Sequence, residues 1–239
     1  MSQEKLIVAL DVDTLEEVEY WVHLLKDHVG MFKVGMQLYN SLGRDVVHRI
    51  KGLGGHVFLD LKLHDIPNTV AQATRVLTSL EVDLLNVHAS GGFNMMRMAA
   101  EAARQEAARL QIPRPLVIAV TVLTSLSDED LREIGYAETT DNMVVRLAKL
   151  AQKAGLDGVV CSPHEASMIR EVCGPAFISV TPGVRPAMSD VGDQKRVMTP
   201  SRAMAAGSQY LVVGRPILQA KNPVEVVKSI VKEMEEAQC

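Results

Sequence analysis

The chain has 239 residues, 47% of them hydrophobic and 23% charged, with a formal net charge of -4 at pH 7. That length suits one large domain or two small ones, with ample apolar material for a core. The acidic balance excludes a broad basic surface for nucleic acid, and an aromatic content of 4% excludes a platform for stacking bases.

Taken from the N-terminus, MSQEKLIVALD has an apolar run that meets Asp11 almost at once. A secretory leader needs basic residues first and a longer apolar stretch, so none is expected, and no membrane segment is expected further on. Cys161, Cys173 and Cys239 are odd in number and lack CxxC spacing. Reduced thiols in a cytoplasmic protein are the expectation.

Eight short runs rich in Val, Ile and Leu follow one another: LIVALD (6–11), MFKVG (31–35), HVFLDLK (56–62), LLNVH (84–88), LVIAVT (116–121), GVVCS (158–162), AFISVT (176–181) and YLVVGR (210–215). Each reads as a buried parallel strand. Helical periodicity fills the gaps. Leu15, Val18, Val22 and Leu25 share a face, with Gly30 suited to the C-terminal cap, and Val70, Ala73, Leu77 and Leu80 repeat the spacing. Ser162-Pro163, Thr199-Pro200 and Asn222-Pro223 each read as an N-cap followed by proline at the first helical position. The helix-like SDEDLREIG (127–135) has no assigned role. The segment MSDVGDQKRVM before Thr199 has no periodicity; residues 186–199 read as either a surface loop or a lid closing on a phosphate.

Eight strands alternating with helices in a chain near ~250 residues predict an α/β protein, a (β/α)₈ TIM barrel with residues 1–239 in a single domain. A doubly wound open sheet is the alternative.

In such a barrel the working residues sit at the C-terminal strand ends. Polar groups recur there: Asp11, Lys33, Asp60 with Lys62, His88, Thr121 and Arg215. The period of two along a strand turns Phe58, Asp60 and Lys62 to the mouth and Leu59, Leu61 and Leu63 to the helices. Asp65 follows in the loop or first helical turn. Buried charges must pair, so Lys33, Asp60, Lys62 and Asp65 are expected to form an alternating network. A carboxylate beside a substrate anion raises its energy, and an adjacent ammonium stabilises and then protonates the carbanion that follows. A structural ion pair is the plain alternative. Asp60, Asp65, His64 and His88 are conceivable metal ligands, but Lys62 between the acids competes with a divalent cation, so no metal is expected. His88 reads as a structural histidine and HASGG as a tight turn.

The runs TPGVRP and VVGRPI each carry a glycine and an arginine after strands seven and eight, where barrels often bind phosphate. Gly183 and Gly214 permit backbone N–H groups near an anion, and Arg185 and Arg215 offer planar forks for its oxygens. Gln194, in the candidate lid, would reach the phosphate or a base edge on closure.

The ordered set ALD, FKVG, DLKLHDIPNT, NVHASGG, AVTVLTS, VTPGVRP, GDQ and VVGRP resembles the orotidine 5'-monophosphate decarboxylases of the bacterial type, from residue 6 to about 230. The resemblance implies a cofactor-free homodimeric lyase that converts orotidine 5'-monophosphate to uridine 5'-monophosphate and CO₂. It implies that Asp60 sits beside the departing carboxylate and Lys62 protonates C6 of the pyrimidine. Lys33 would hold the network and, with Asp11, contact the ribose. Asp65 and Thr69 would enter the neighbouring subunit's site. Thr124 would lie near the pyrimidine, a role Ser125 or Ser127 could share. Arg185, Gln194, Gly214 and Arg215 would take the phosphate. A metal-dependent phosphosugar-acid decarboxylase and a non-catalytic phosphate binder are the alternatives; the former places an acid where this chain has Lys33.

Overall fold

In the computed structural model, which describes residues 2–185 and 198–237, parallel strands pair in chain order and the last closes onto the first. They are β1 (Leu6–Ala9), β2 (Met31–Gly35), β3 (Val57–Leu63), β4 (Leu84–His88), β5 (Leu116–Val120), β6 (Gly158–Val160), β7 (Ile178–Thr181) and β8 (Tyr210–Val213). All eight strands expected from the sequence are present, several of them shorter by one or two residues at their polar ends. The closed cylinder replaces the open-sheet alternative.

Alternation along the strands divides the apolar residues into two bodies. Ile7, Ala9, Phe58, Leu84, Ile118, Val180 and Val212 fill the inside of the barrel. Their neighbours Leu6, Val8, Leu59, Leu85, Val117, Val159 and Leu211 pack outward against the helices. Each fully buried leucine in that outer layer stabilises the fold by about 1.5–3 kcal/mol. The inner layer matters for function, because Phe58 and Val212 form a floor on which polar residues of the mouth can rest.

At the opposite, N-terminal face, carboxylates finish the strands. Asp83 Oδ2 accepts the Val57 N–H at 2.7 Å and the Lys51 ammonium at 3.0 Å. Asp157 accepts the Val117 N–H at 2.7 Å and both arms of Arg114 at 2.8 Å. Charge there serves strand register, which leaves the other rim for chemistry.

Several local expectations need correction. Gly30 does not cap the helix Leu15–Leu25, which ends at Lys26 with a bond to the Val22 carbonyl. A Cβ on Gly30 would lie 2.0 Å from the Glu4 carbonyl oxygen, so the glycine is required by a close backbone approach. Ser162-Pro163 does not start a helix: three turn residues intervene and the helix is Ala166–Cys173. The Ser162 N–H is taken by the Glu165 carboxylate at 2.7 Å, which folds the segment into a turn first. Thr199 and Asn222 do precede helices with proline at the start, and Thr199 caps through its side chain. In the helix Pro67–Thr78 the buried face is Val70, Ala71, Thr74, Leu77 and Thr78, while Leu80 lies just beyond its end. Residues 127–135 contain the helix Asp128–Glu133, begun by a capping box between Ser127 and Asp130. No described helix is long and apolar enough to cross a membrane.

Candidate active site

The C-terminal rim encloses a cavity of about 290 Å³, near the low end of the range for small-molecule sites, about 300–1,000 Å³. Its floor is Ala9, Phe58, Val160, Val180 and Val212, and its polar lining includes Asp11, Lys33, Asp60, Lys62, Thr124, Arg185 and Arg215. Four cationic side chains against two carboxylates suit a ligand that is itself anionic.

The polar residues divide by position. β3 and β7 lie across the barrel from one another, so Asp60 and Lys62 stand opposite Arg185, whereas Arg215 after β8 and Asp11 after β1 follow neighbouring strands. On one side Asp60 is 9% exposed. The Lys62 ammonium meets its Oδ1 at 2.6 Å, and the Lys33 ammonium its Oδ2 at 3.4 Å. Lys33 lies 3.7 Å from Asp11, so the charges run acid, base, acid, base from β1 to the end of β3. Burial pushes the Asp60 carboxyl up. The two ammonium groups and hydrogen bonds from Lys62 and Asn86 outweigh that effect and hold it below its ordinary value of 3.8. Asp60 is therefore ionised at neutral pH. Its ionisation stabilises the fold above pH 3.8, and that contribution is lost as pH falls through the lower folded value.

Lys62 faces the mouth as alternation predicts, but not on a regular strand. Its φ is 55°, in the left-handed region, and the β3–β4 register shifts between Leu59 and Leu63. The bulge places Asp60 and Lys62 side by side over Phe58. Asn86 on β4 bonds to both residues of the pair: its Nδ2 donates to Asp60 Oδ1 at 2.7 Å and its Oδ1 accepts the Lys62 N–H at 2.8 Å. Sequence reasoning passed over Asn86. The signal was present, since an amide in the middle of the apolar run LLNVH must find partners once buried.

On the other side Arg185 is 8% exposed and its N–H bonds to the Met198 carbonyl at 3.0 Å. A bridge pairs Val184 with Met198, so the two stems of the candidate lid meet beside the cavity. Gly183 has a φ of 77°, which favours glycine. At Gly214 a Cβ would make a tight contact of 3.2 Å with the Ala9 Cβ and an ordinary one of 3.4 Å with Asp11 Oδ2. Arg215 opens the short helix Arg215–Leu218 and lines the cavity. Gln194 and residues 186–197 of the candidate lid lie outside the described residues.

Other expected residues are placed elsewhere. Asp65 and Thr69 are exposed and absent from the lining of their own chain's cavity. Asp65 Oδ1 accepts the neighbouring Ile66 N–H at 2.6 Å. Within one chain the fourth charge beside Lys33, Asp60 and Lys62 is Asp11 and not the expected Asp65, which lies past the strand end with its carboxylate folded back on the loop. Thr121 turns away from the mouth, its hydroxyl donating to the Val160 carbonyl at 3.0 Å. His88 packs against His64 with ring centroids 5.4 Å apart, beside a second, mainly apolar hollow. Burial, the charge of His64 and that of Lys62 push its pKa down against a pull from Asp60, so it is neutral at pH 7. Of the three hydroxyl candidates only Thr124 lines the cavity; Ser125 is exposed and Ser127 is committed to its helix cap. No cluster of three acidic, histidine or cysteine ligands occurs among the described residues.

Comparison with known proteins identifies the family. The model of the orotidine 5'-phosphate decarboxylase / HUMPS family matches residues 4–230. The chain is 54% identical to the orotidine 5'-phosphate decarboxylase of Moorella thermoacetica, over 98% of this chain and 93% of that protein. It is 52% identical to that of Geobacter sulfurreducens, over 98% and 97% of the two chains. Among solved structures, the orotidine 5'-phosphate decarboxylase of Lactobacillus acidophilus superposes with a TM-score of 0.84 at 38% identity, over 96% of this chain and 98% of that one. With its fold and nearly its whole length in common with these proteins, the chain belongs to the orotidine 5'-phosphate decarboxylase / HUMPS family.

Proposed function

We propose that the protein is a carboxy-lyase that converts orotidine 5'-monophosphate to uridine 5'-monophosphate and CO₂, the last step of de novo UMP synthesis, without a cofactor. One observation carries this reading: an ionised Asp60 clasped between Lys33 and Lys62 in a cavity that Arg185 and Arg215 also line. The arginines, the Gly214 backbone and Gln194 receive the phosphate. Asp11 and Lys33 meet the ribose, and Thr124 approaches the pyrimidine from the turn after β5.

The substrate carboxylate then lies against Asp60. Two carboxylates in contact repel, so the bound ground state is raised relative to a transition state in which charge leaves the carboxylate. The C6–carboxylate bond breaks, its electron pair stays on C6, and CO₂ departs. The Lys62 ammonium, already fixed at 2.6 Å from Asp60, stabilises the developing charge and gives C6 its proton. Water returns a proton to the amine. Phosphate binding remote from C6 supports this by holding the base against the charged pair.

The protein acts as a homodimer in the cytoplasm, with Asp65 and Thr69 entering the partner's cavity. Their exposure at the rim, next to an Ile66 that is 66% exposed, fits a surface covered by a second copy.

A metal-dependent phosphosugar-acid decarboxylase is disfavoured by Lys33 and Lys62, whose ammonium groups already face both Asp60 oxygens. The test is decarboxylation of orotidine 5'-monophosphate by dialysed protein in excess chelator. Full turnover is expected. Activity that vanishes with chelator and returns with magnesium would overturn the reading.

A further inference from the structure

We infer that Asn86 is a positioning residue for the decarboxylation, holding Asp60 and Lys62 in register with each other although it does not itself reach the substrate. The inference rests on the function proposed above and deepens it.

The need for such a residue follows from the backbone. Leu59 pairs with Leu85, but the next β4 partner, Val87, pairs with Leu63. Two extra residues of β3 must therefore be accommodated opposite Asn86. The strand does so by a bulge in which Lys62 takes a left-handed φ of 55°, a conformation unfavourable for any residue with a side chain. A bulge also removes ladder partners from the backbone. The Asn86 side chain supplies the missing one: its carbonyl oxygen accepts the Lys62 N–H at 2.8 Å. The same amide donates through Nδ2 to Asp60 Oδ1 at 2.7 Å, the oxygen that also receives the Lys62 ammonium at 2.6 Å. One rigid group thus fixes the backbone of the proton donor and the carboxylate of its partner.

Asn86 is 1% exposed and lines no part of the cavity, so the role is indirect. Its orientation is determined by its partners. A carboxylate requires a donor and the Lys62 N–H requires an acceptor, and only an amide with nitrogen toward Asp60 satisfies both. The charged and titratable groups around Asp60 are Asp11, Lys33, Lys62 and His88. Asn86 is the uncharged member of that shell, so it adds no charge to the alternating set.

Two variants test this. Asn86→Leu preserves volume and removes both hydrogen bonds. The expected result is a fall in kcat of about 10- to 100-fold, with binding of UMP changed less than about threefold, because the phosphate side is untouched. Asn86→Asp keeps the acceptor for Lys62 but sets a second carboxylate against Asp60. Its kcat is expected to be low at neutral pH and to recover as pH falls, when one proton shared by the two acids restores a donor toward Asp60. Wild-type kcat in a soluble Asn86→Leu protein would overturn the inference. So would a kcat for Asn86→Asp that follows the wild-type pH profile. Wild-type turnover measured alongside separates the two levels: an inert wild type overturns the proposed function, whereas an active wild type with unaffected variants overturns this inference alone.

Discussion

Lys62→Ala is expected to lose at least about four orders of magnitude in kcat/KM for orotidine 5'-monophosphate while remaining folded. A positioned general acid contributes about 10²–10⁴-fold, and a preorganised charge at the site of developing negative charge contributes about 10²–10³-fold. Both reside in one ammonium group here. The fold should tolerate the change, because the Lys62 side chain is 27% exposed and Asp60 retains Lys33 and Asn86. The effect should fall on kcat, with UMP affinity reduced far less, since the two arginines remain in the cavity lining. Circular dichroism and a UMP titration would establish folding and binding before kinetics are measured. Turnover within tenfold of wild type would end the role assigned to Lys62.

The second large effect concerns the boundary between subunits. Asp65 and Thr69 are exposed and absent from the lining of their own chain's cavity, yet they follow β3 directly, in the loop and helix start after Lys62. Under the proposed dimer each site takes Lys62 from one chain and Asp65 from the other. Lys62→Ala and Asp65→Ala proteins should each be inactive alone. After subunit exchange at equal concentrations, half the dimers are mixed, and each has one site free of both lesions. Activity should return to roughly a quarter of wild type, as expected for a two-fold symmetric interface with one intact site per mixed dimer. Absence of recovery despite demonstrated exchange would place Asp65 in its own subunit's site.

The barrel was legible in the sequence because each buried parallel strand is a short β-branched run. Closure followed from eight such runs alternating with helices. The cavity was legible for a related reason: Asp60, Lys62, Arg185 and Arg215 are charges at the ends of apolar strands, where a closed barrel turns them to one rim. What escaped was determined by contacts between distant segments. Thr121 ends its strand like the others but turns its hydroxyl to the neighbouring Val160 carbonyl. His88 did not escape: read as a structural histidine, it packs against His64 and is absent from the cavity lining. The bulge at Lys62 depends on Asn86, which lies 24 residues later in the chain, and no periodicity along β3 reports it. Gly30 looked like a helix cap because its true reason, the Glu4 backbone, lies across β1 in the sequence.

A crystal structure with bound UMP would test the central claim most directly. The account predicts the phosphate between Arg185 and Arg215 and C6 of the base in van der Waals contact with the Lys62 ammonium, with Asp60 facing the position vacated by the carboxylate. A nucleotide bound with its phosphate over Lys33 and Lys62, or with C6 turned toward the arginines, would contradict it.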